Sequence, residues 1–430
     1  MPNSIVMGDD GQYDVIVIGG GPAGSTAAAV LADYGRRVLV FEKEKFPRYC
    51  VGESLMPYCY FPLSRLGVID QLRTSHFPKK YSVQFVSTNG HVSQPFYFIK
   101  YFDHDASQTW QVWRNEFDMI LLDNARAKGA EVCEETRVHE IVHEGSCIVG
   151  VEAESKSGKR VLARAPITID ASGRNALAMS RKRWRSPDMR LKKIAIWTYY
   201  RGALRDAGMD EGATTIAYLP EKNWFWYIPL ADDLVGVGIV AEREYLFAGG
   251  RDPAAIFERE IDKNPWIRDH LASGERVNAP GTGNGPFYTA SEWSYRSMHC
   301  AADGLVLVGD AFGFLDPVFS SGVLLALKSG ELAGDAVNIA LDAGHVSANQ
   351  FRDYGVQMSR GMEAMRKLVY AFYDHEFTFR ELIEGKPELR GDLTDCLIGN
   401  LFRDFTDLFA AVGEFARLPE PVACSEPFSE

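Results

Sequence analysis

Gly19-Gly20-Gly21-Pro22-Ala23-Gly24 fits G-x-G-x-x-G, with Gly19, Gly21 and Gly24 in the three key places. The first glycine permits a tight turn, the second lets a pyrophosphate approach the backbone, and the third lets a helix pack on a strand. The chemistry is dinucleotide binding, because a helix N-terminus offers phosphates free N–H groups and the positive end of its dipole. Glu42, eighteen residues beyond Gly24, is placed to accept hydrogen bonds from ribose hydroxyls. A second set of residues lies far along the chain. Trp224 and Trp226, at i and i+2 in NWFWYIPL, share one face of a strand. Taken singly, each reads as an aromatic filling a core. The adjacent Lys79 and Lys80 read, on their own, as solvated surface residues.

These residues need elements to hold them. Val15–Ile18 is a β-branched run suited to a buried parallel strand, Ser25–Tyr34 is an alanine-rich helix, and Arg37–Phe41 is a second strand ending at Glu42. Two later apolar strands each run into an acid. ITIDASGRN (167–175) carries Asp170, and MHCAADGLVLVGDAFG (298–313) carries Gly309-Asp310. The Gly-Asp pair resembles the second flavin motif of the glutathione-reductase-like FAD family, in which the aspartate binds the ribityl chain. Asp170 and Asp310 also have readings as turn or cap residues, but their order and strand context favour the flavin.

The expected fold is α/β: a glutathione-reductase-like FAD-binding fold with an inserted mixed β-sheet substrate domain and a helical C-terminal region. The FAD-binding part is discontinuous, at 1–80, 103–190 and 290–342. The inserted sheet takes 81–102 and 191–289, from the aromatic-rich Tyr81–Phe102 and strands at Lys193–Tyr200, Thr214–Leu219, Trp224–Pro229 and Leu234–Glu242. Residues 343–430 form the helical region over the substrate pocket. Its stripe from Phe351 to Phe372 makes Met358, Met362 and Met365 core residues. Leu401–Val412 is a further helix, and the last dozen residues are frayed.

The six residues Trp224-Phe225-Trp226-Tyr227-Ile228-Pro229 match W-x-W-x-I-P. With FPRYCVGESLMP (46–57), QTWQVWRNEFDMILL (108–122) and LDPVFSSGV (315–323), the chain from Tyr13 to about Leu341 resembles the flavin-dependent halogenases. The resemblance implies use of FADH2, O2 and chloride or bromide to make hypohalous acid, which then halogenates an electron-rich aromatic ring. It puts Arg48 and Glu53 beside the flavin and Arg114 in contact with it. Trp224 and Trp226 then line the passage beside the flavin and keep organic substrate away from it. Ser321 and Gly322 match the halide-binding residues, and the Ser320-Ser321-Gly322 turn can hold an anion with backbone N–H groups. Lys80, with Lys79 the register-shifted alternative, matches the lysine that captures hypohalous acid as a haloamine or by hydrogen bonding. Tryptophan halogenases carry a glutamate just before the serine of that loop, where this chain has Phe319. Phe319 resembles the branch acting on phenols and pyrroles, several of which take carrier-tethered substrates.

Composition bounds the partners. The 430 residues carry a net charge of −12, against binding nucleic acid or an anionic membrane through the overall field. No run of about 18 apolar residues spans a membrane, and no secretory signal opens the chain. Seven cysteines without a C-x-x-C pair argue against zinc or a redox dithiol and for reduced thiols in a cytoplasm. The expected partners are a separate NAD(P)H-dependent flavin reductase and a small aromatic substrate, free or on an acyl or peptidyl carrier protein. The competing readings are an FAD-dependent reductase of the geranylgeranyl-reductase type and an NAD(P)H-dependent aromatic hydroxylase.

Overall fold

The computed structural model describes residues 4–7, 13–279, 285, 287–291 and 294–428. The remaining parts of the expected segments 1–80, 191–289, 290–342 and 343–430 lie outside the described residues. A six-stranded sheet runs in the order Ala301–Ala302, Leu305–Leu307, Ile167–Asp170, Val15–Ile18, Val38–Phe41, Glu131–Cys133. All but the first pairing are parallel. Val15–Ile18, Val38–Phe41 and Ile167–Asp170 are buried at every position, as apolar strands covered on both faces must be. Helices Pro22–Asp33, Arg114–Ala127 and Gly322–Asp342 pack together in one covering layer. The other layer is a four-stranded sheet of Ser4–Met7, Arg160–Arg164, Cys147–Ser155 and Thr136–Glu144. Its Val151, Ala153, Val161 and Ala163 meet Ile16, Ile18, Leu39 and Phe41. The sequence patterns did not identify this sheet, in which Thr136–Glu144, Cys147–Ser155 and Arg160–Arg164 bury one face and carry charged residues on the other.

The second large sheet has eight strands. Its order is Glu275–Val277, Lys193–Arg201, Leu234–Glu242, Trp224–Pro229, Thr214–Tyr218, Ser82–Val86, Phe96–Tyr97, with Tyr288–Ser291 also paired to Lys193–Arg201. Thr214–Tyr218 is parallel to Ser82–Val86 while the other pairs are antiparallel, so the sheet is mixed. Strand periodicity sorts its faces. Phe225 and Tyr227 join Val235, Val237 and Ile239 against helices Pro253–Ile261 and Pro265–Leu271, which the sequence reading missed. Trp224, Trp226 and Ile228 face the other way, into the core shared with the six-stranded sheet.

The C-terminal region is helical at Arg352–Tyr373, Phe379–Gly385, Arg390–Ile398 and Thr406–Phe415. Met358, Met362 and Met365 are core residues, and the helix expected at Leu401–Val412 starts instead at Thr406. The terminus is also ordered up to Phe428, where fraying was expected. Phe428 N–H donates to Ala301 O (2.8 Å), its ring packs on Trp184 and His299, and buried Ser425 donates to Ser297 O (2.6 Å). Among the described residues, no helix is long and apolar enough to cross a membrane.

Candidate active site

Strand, turn and helix meet at Gly19 and Gly24 through main-chain atoms alone. Gly19 sits at φ +104°, where a Cβ would lie 2.4 Å from Ala171 O, and a Cβ on Gly24 would lie 1.9 Å from Gly19 O. Only glycine fits either place. Gly21 differs, because a Cβ there would meet nothing nearer than Arg48 Nη2 at 3.4 Å. Its missing side chain leaves room in a cavity of about 830 Å³. Gly21 also caps helix Pro22–Asp33 without a side-chain hydrogen bond, which leaves the helix N-terminus to a ligand. At the end of the neighbouring strand, Glu42 accepts from Gly20 N–H (2.7 Å) and Glu44 N–H (2.9 Å) and lines the same cavity.

Further along the wall, one helical turn sets Arg114 over Asp118. Arg114 Nε and Nη2 reach the two Asp118 oxygens at 2.8 and 3.1 Å, and Arg48 Nη1 reaches Asp118 Oδ2 at 3.0 Å. Two guanidiniums on one fully buried carboxylate leave net positive charge against the cavity. Asp310 lines the cavity too. Burial pushes its carboxyl up to about 6, opposed by Arg114 and Arg174. Glu53 also borders the cavity. Its carboxylate accepts from Tyr199 Oη (2.6 Å) and Gly52 N–H (3.0 Å), and burial raises its pKa. Asp170 stands apart from this group. Its oxygens accept from Ser172 N–H (3.0 Å) and Ala178 N–H (2.7 Å) behind the wall. The carboxylate thus acts as a turn and cap, holding the loop whose Ala171–Gly173 line the cavity.

The cradle at Gly21, the open helix end, the strand-end acid and the arginines together fit an elongated dinucleotide such as FAD. The same cavity runs on to Trp224, Trp226 and Gly322. Trp226 lies flat across the next strand because Gly238 is opposite: a Cβ there would sit 2.2 Å from Trp226 Cζ2. Trp224 Nε1 donates to Tyr373 Oη (2.8 Å), and Tyr373 donates to Asp316 Oδ2 (2.9 Å). Asp316 Oδ1 accepts from Val318 N–H (3.1 Å), so this acid shapes the loop ahead of helix Gly322–Asp342. Ser320 takes the left-handed conformation, and Ser321 is the N-cap, 1% exposed, with no side-chain capping bond. Gly322 lines the cavity with only Phe314, 3.9 Å away, facing its absent Cβ. Phe319 packs edge-on against Phe372 and Phe379 of the C-terminal region.

The lysines separate cleanly. Lys79 is exposed, whereas Lys80 is 2% exposed. Its Nζ donates to Ser54 Oγ (2.8 Å) and Leu55 O (3.2 Å) and lies 5.6 Å from the Phe98 ring. Burial pushes the amine down to about 7, with buried Cys59 nearby opposing the shift. Lys80 sits behind the wall, and Ser54 and Thr214 form the wall between it and the cavity.

Residue patterning missed Asp118, Ser54, Thr214, Tyr199 and Tyr373. Asp118 had a usable signal in the R-x-x-x-D spacing within a helix. Ser54 lies in the FPRYCVGESLMP stretch, which assigns it no role, and Thr214, Tyr199 and Tyr373 join segments far apart in sequence and had no signal.

The family model described as tryptophan halogenase matches residues 99–381, and that of FAD dependent oxidoreductases matches 14–182. The chain belongs to the flavin-dependent halogenase family, and it is an FAD- and halide-using enzyme with an α/β FAD-binding fold and a helical C-terminal region. It is 30% identical to a 1H-pyrrole-2-carbonyl-(peptidyl-carrier protein) chlorinase of Pseudomonas fluorescens, over 91% of this chain and 90% of that one. It is also 30% identical to the corresponding brominase of Pseudoalteromonas luteoviolacea, over 91% and 93%. The solved structure of the flavin-dependent brominase Bmp2 superposes with a TM-score of 0.83 at 28% identity, covering 94% of this chain and 98% of that one.

Proposed function

We propose that this chain receives reduced FAD from a separate NAD(P)H-dependent flavin reductase and halogenates an electron-rich pyrrole or phenol, free or tethered to a carrier protein. The observation that carries the reading is Lys80, a buried amine with no carboxylate partner among the described residues, set one hydroxyl away from the cavity. An unpaired buried lysine is costly to the fold, and such groups concentrate at functional sites. Bound reduced FAD supplies, with O2, the oxidising power that converts chloride or bromide into hypohalous acid.

The chain's own residues do the rest. Gly19, Gly21 and Gly24 bring helix N–H groups to the pyrophosphate, and Glu42 receives the ribose. Arg48, Glu53, Arg114 and Asp310 hold the remainder of the cofactor, and Asp170 acts through its loop. Backbone N–H groups at Ser321 and Gly322 hold the halide. Trp224 and Trp226 fill the space between cofactor and organic substrate, so that the small acid passes and the ring does not. Lys80 receives the acid and aims it at carbon. In this division of labour, 1–80, 103–190 and 290–342 bind cofactor, 81–102 and 191–289 supply the substrate sheet, and 343–430 covers the substrate. A pyrrole or phenol is favoured by Phe319, which cannot accept a proton, and by the carrier-tethered pyrrole named for both relatives. The enzyme works in the cytoplasm, where its seven unpaired cysteines stay reduced.

The test supplies FAD, NADH, a flavin reductase, bromide and a panel of pyrroles and phenols, with products read by mass spectrometry. Lys80→Ala is expected to abolish halogenation while FAD binding persists; retained halogenation overturns the assignment. NADH oxidation without added reductase would favour the hydroxylase reading instead.

A further inference from the structure

Lys80 does not reach the cavity directly. Its Nζ donates to Ser54 Oγ at 2.8 Å, and Ser54 Oγ lies 2.8 Å from Thr214 Oγ1. From the other side, Gln111 Nε2 donates to Thr214 Oγ1 at 2.9 Å. The same Nε2 donates to Gly212 O at 2.9 Å, which fixes which end of the amide faces the hydroxyls. Ser54 and Gln111 are themselves joined by an isolated antiparallel backbone bridge.

Two hydroxyls therefore stand between two N–H donors. Each hydroxyl oxygen accepts one of those donors, and the hydroxyls share one further bond between themselves. That bond uses one O–H proton. The second has no acceptor within the chain of four groups, and neither hydroxyl bonds to any other described protein atom. Both Ser54 and Thr214 line the cavity, whereas Lys80 and Gln111 do not. With Thr214 as donor in the shared bond, the spare proton is that of Ser54, whose oxygen also accepts from Lys80 and whose residue lines the cavity. A neutral amine here has its two N–H groups directed to Ser54 Oγ and Leu55 O, and its lone pair is left to react. Burial, which pushes the amine down to about 7, makes that neutral form accessible.

We propose that Ser54 is a catalytic residue that relays a proton from Lys80 to the oxygen of hypohalous acid as the halogen moves to the amine. The inference rests on Lys80 being the group that receives the halogen. In the step, hypohalous acid passes the Ser54 wall to lie against Nζ, and the nitrogen lone pair attacks the halogen, so that the N–halogen bond forms and the O–halogen bond breaks. The nitrogen gives its proton to Ser54 Oγ, and Ser54 gives its own to the departing oxygen, which leaves as water. No electrons are exchanged overall, because the halogen keeps its oxidation state. Ser54 is regenerated with the proton that came from nitrogen.

Ser54→Ala should lower halogenation roughly 10²-fold, the size of a lost proton-transfer catalyst, with FAD affinity held. Ser54→Thr should restore most of the rate, and Thr214→Val should cost less than tenfold. Should Ser54→Ala fail to fold, Ser54→Gly carries the same expectation. Hypobromous acid added to FAD-free protein gives a second readout: peptide-resolved mass spectrometry should find the Lys80 bromoamine forming about tenfold more slowly in Ser54→Ala than in the parent or Ser54→Thr. Halogenation by Ser54→Ala within threefold of the parent (roughly the limit of a catalytic effect), or equal losses in Ser54→Ala and Thr214→Val, overturns the relay. If Lys80→Ala is inactive in the same series, that failure belongs to Ser54 alone. If Lys80→Ala stays active, the lysine assignment itself has failed.

Discussion

At the glycine end of the cavity, Ala171 O and Gly19 O stand where a Cβ on Gly19 or Gly24 would lie, and Gly20 N–H donates to the Glu42 carboxylate. At the lysine end, the contacts are made by side chains of Lys80, Ser54, Thr214 and Gln111, which come from four separate segments. The first end is a consequence of how one strand, turn and helix must join. The second exists only once two sheets have been brought together. Changes at the glycine end should therefore act on cofactor binding and folding together, while changes at the lysine end should act on halogen transfer and leave the cofactor in place.

The strongest way to break that contrast is Gly24→Ala. Its Cβ would lie 1.9 Å from Gly19 O, a main-chain atom that cannot swing aside. FAD affinity should fall by about 100-fold or more, corresponding to roughly 3 kcal/mol, as read by flavin fluorescence titration. Binding within tenfold of the parent (about 1.4 kcal/mol) would mean that the turn can relax and that the glycine end is not built from rigid backbone.

A smaller effect should separate the two ends by pH. Lys80 in the folded chain titrates near 7, below its ordinary value of 10.5. Between these values the unfolded chain binds more protons, so the parent gains stability with rising pH across that interval. Below about 7 both states are protonated, and the full cost of burying the charge is present. Lys80→Met should thus be more stable than the parent at pH 7 and lose that advantage towards pH 10, as seen in denaturant titrations. Halogenation by the parent should rise about tenfold per unit below pH 7 and level off above it. FAD affinity should stay flat from about pH 7 to pH 9, because the pyrophosphate rests on backbone N–H groups and Asp310, at about 6, is already ionised. If the amine shows no inflection near 7, or FAD affinity follows the same curve, the two ends are not independent.

Legibility follows the same division. Val15–Ile18, Gly19–Gly24 and Glu42 are local in sequence, and the structure brings them together as their spacing requires. Trp224 and Trp226 were readable because strand alternation alone puts both on one face. Asp170 was harder. Its place at the end of a strand was evident, but a carboxylate that caps Ser172 and Ala178 N–H groups has the same sequence context as one that faces a ligand. The ordered terminus was missed because a Pro- and Glu-rich stretch carries no mark of the groove that Phe428 fills between Trp184 and His299. Ser54 lay inside a recognised motif, yet its relation to Lys80 depends on a pairing between Lys79–Lys80 and Thr109–Trp110 that no periodicity encodes.

The smallest predicted effect lies on the far side of the lysine end, at Tyr373. This residue closes the 22-residue helix Arg352–Tyr373, and its hydroxyl joins Trp224 Nε1 to Asp316 Oδ2. Tyr373→Phe keeps the ring against Phe372 and beneath Lys193 Nζ but removes the oxygen. A buried indole N–H then loses its acceptor and Asp316 loses a donor, at a cost of about 1–3 kcal/mol, or a Tm lower by about 1–3 °C for a chain of this length. Asp316 still accepts from Val318 N–H, so the loop should loosen without collapsing. The halide KM should therefore rise several-fold, roughly in line with 1 kcal/mol, with kcat little changed and FAD affinity unaffected. A lower Tm with an unmoved halide KM would show that the turn at Ser320–Gly322 is held by its own backbone, and that the halide site belongs with the glycine end rather than the lysine end. A fall in FAD affinity would instead show that the C-terminal helix braces the whole cavity, and the contrast between the two ends would fail.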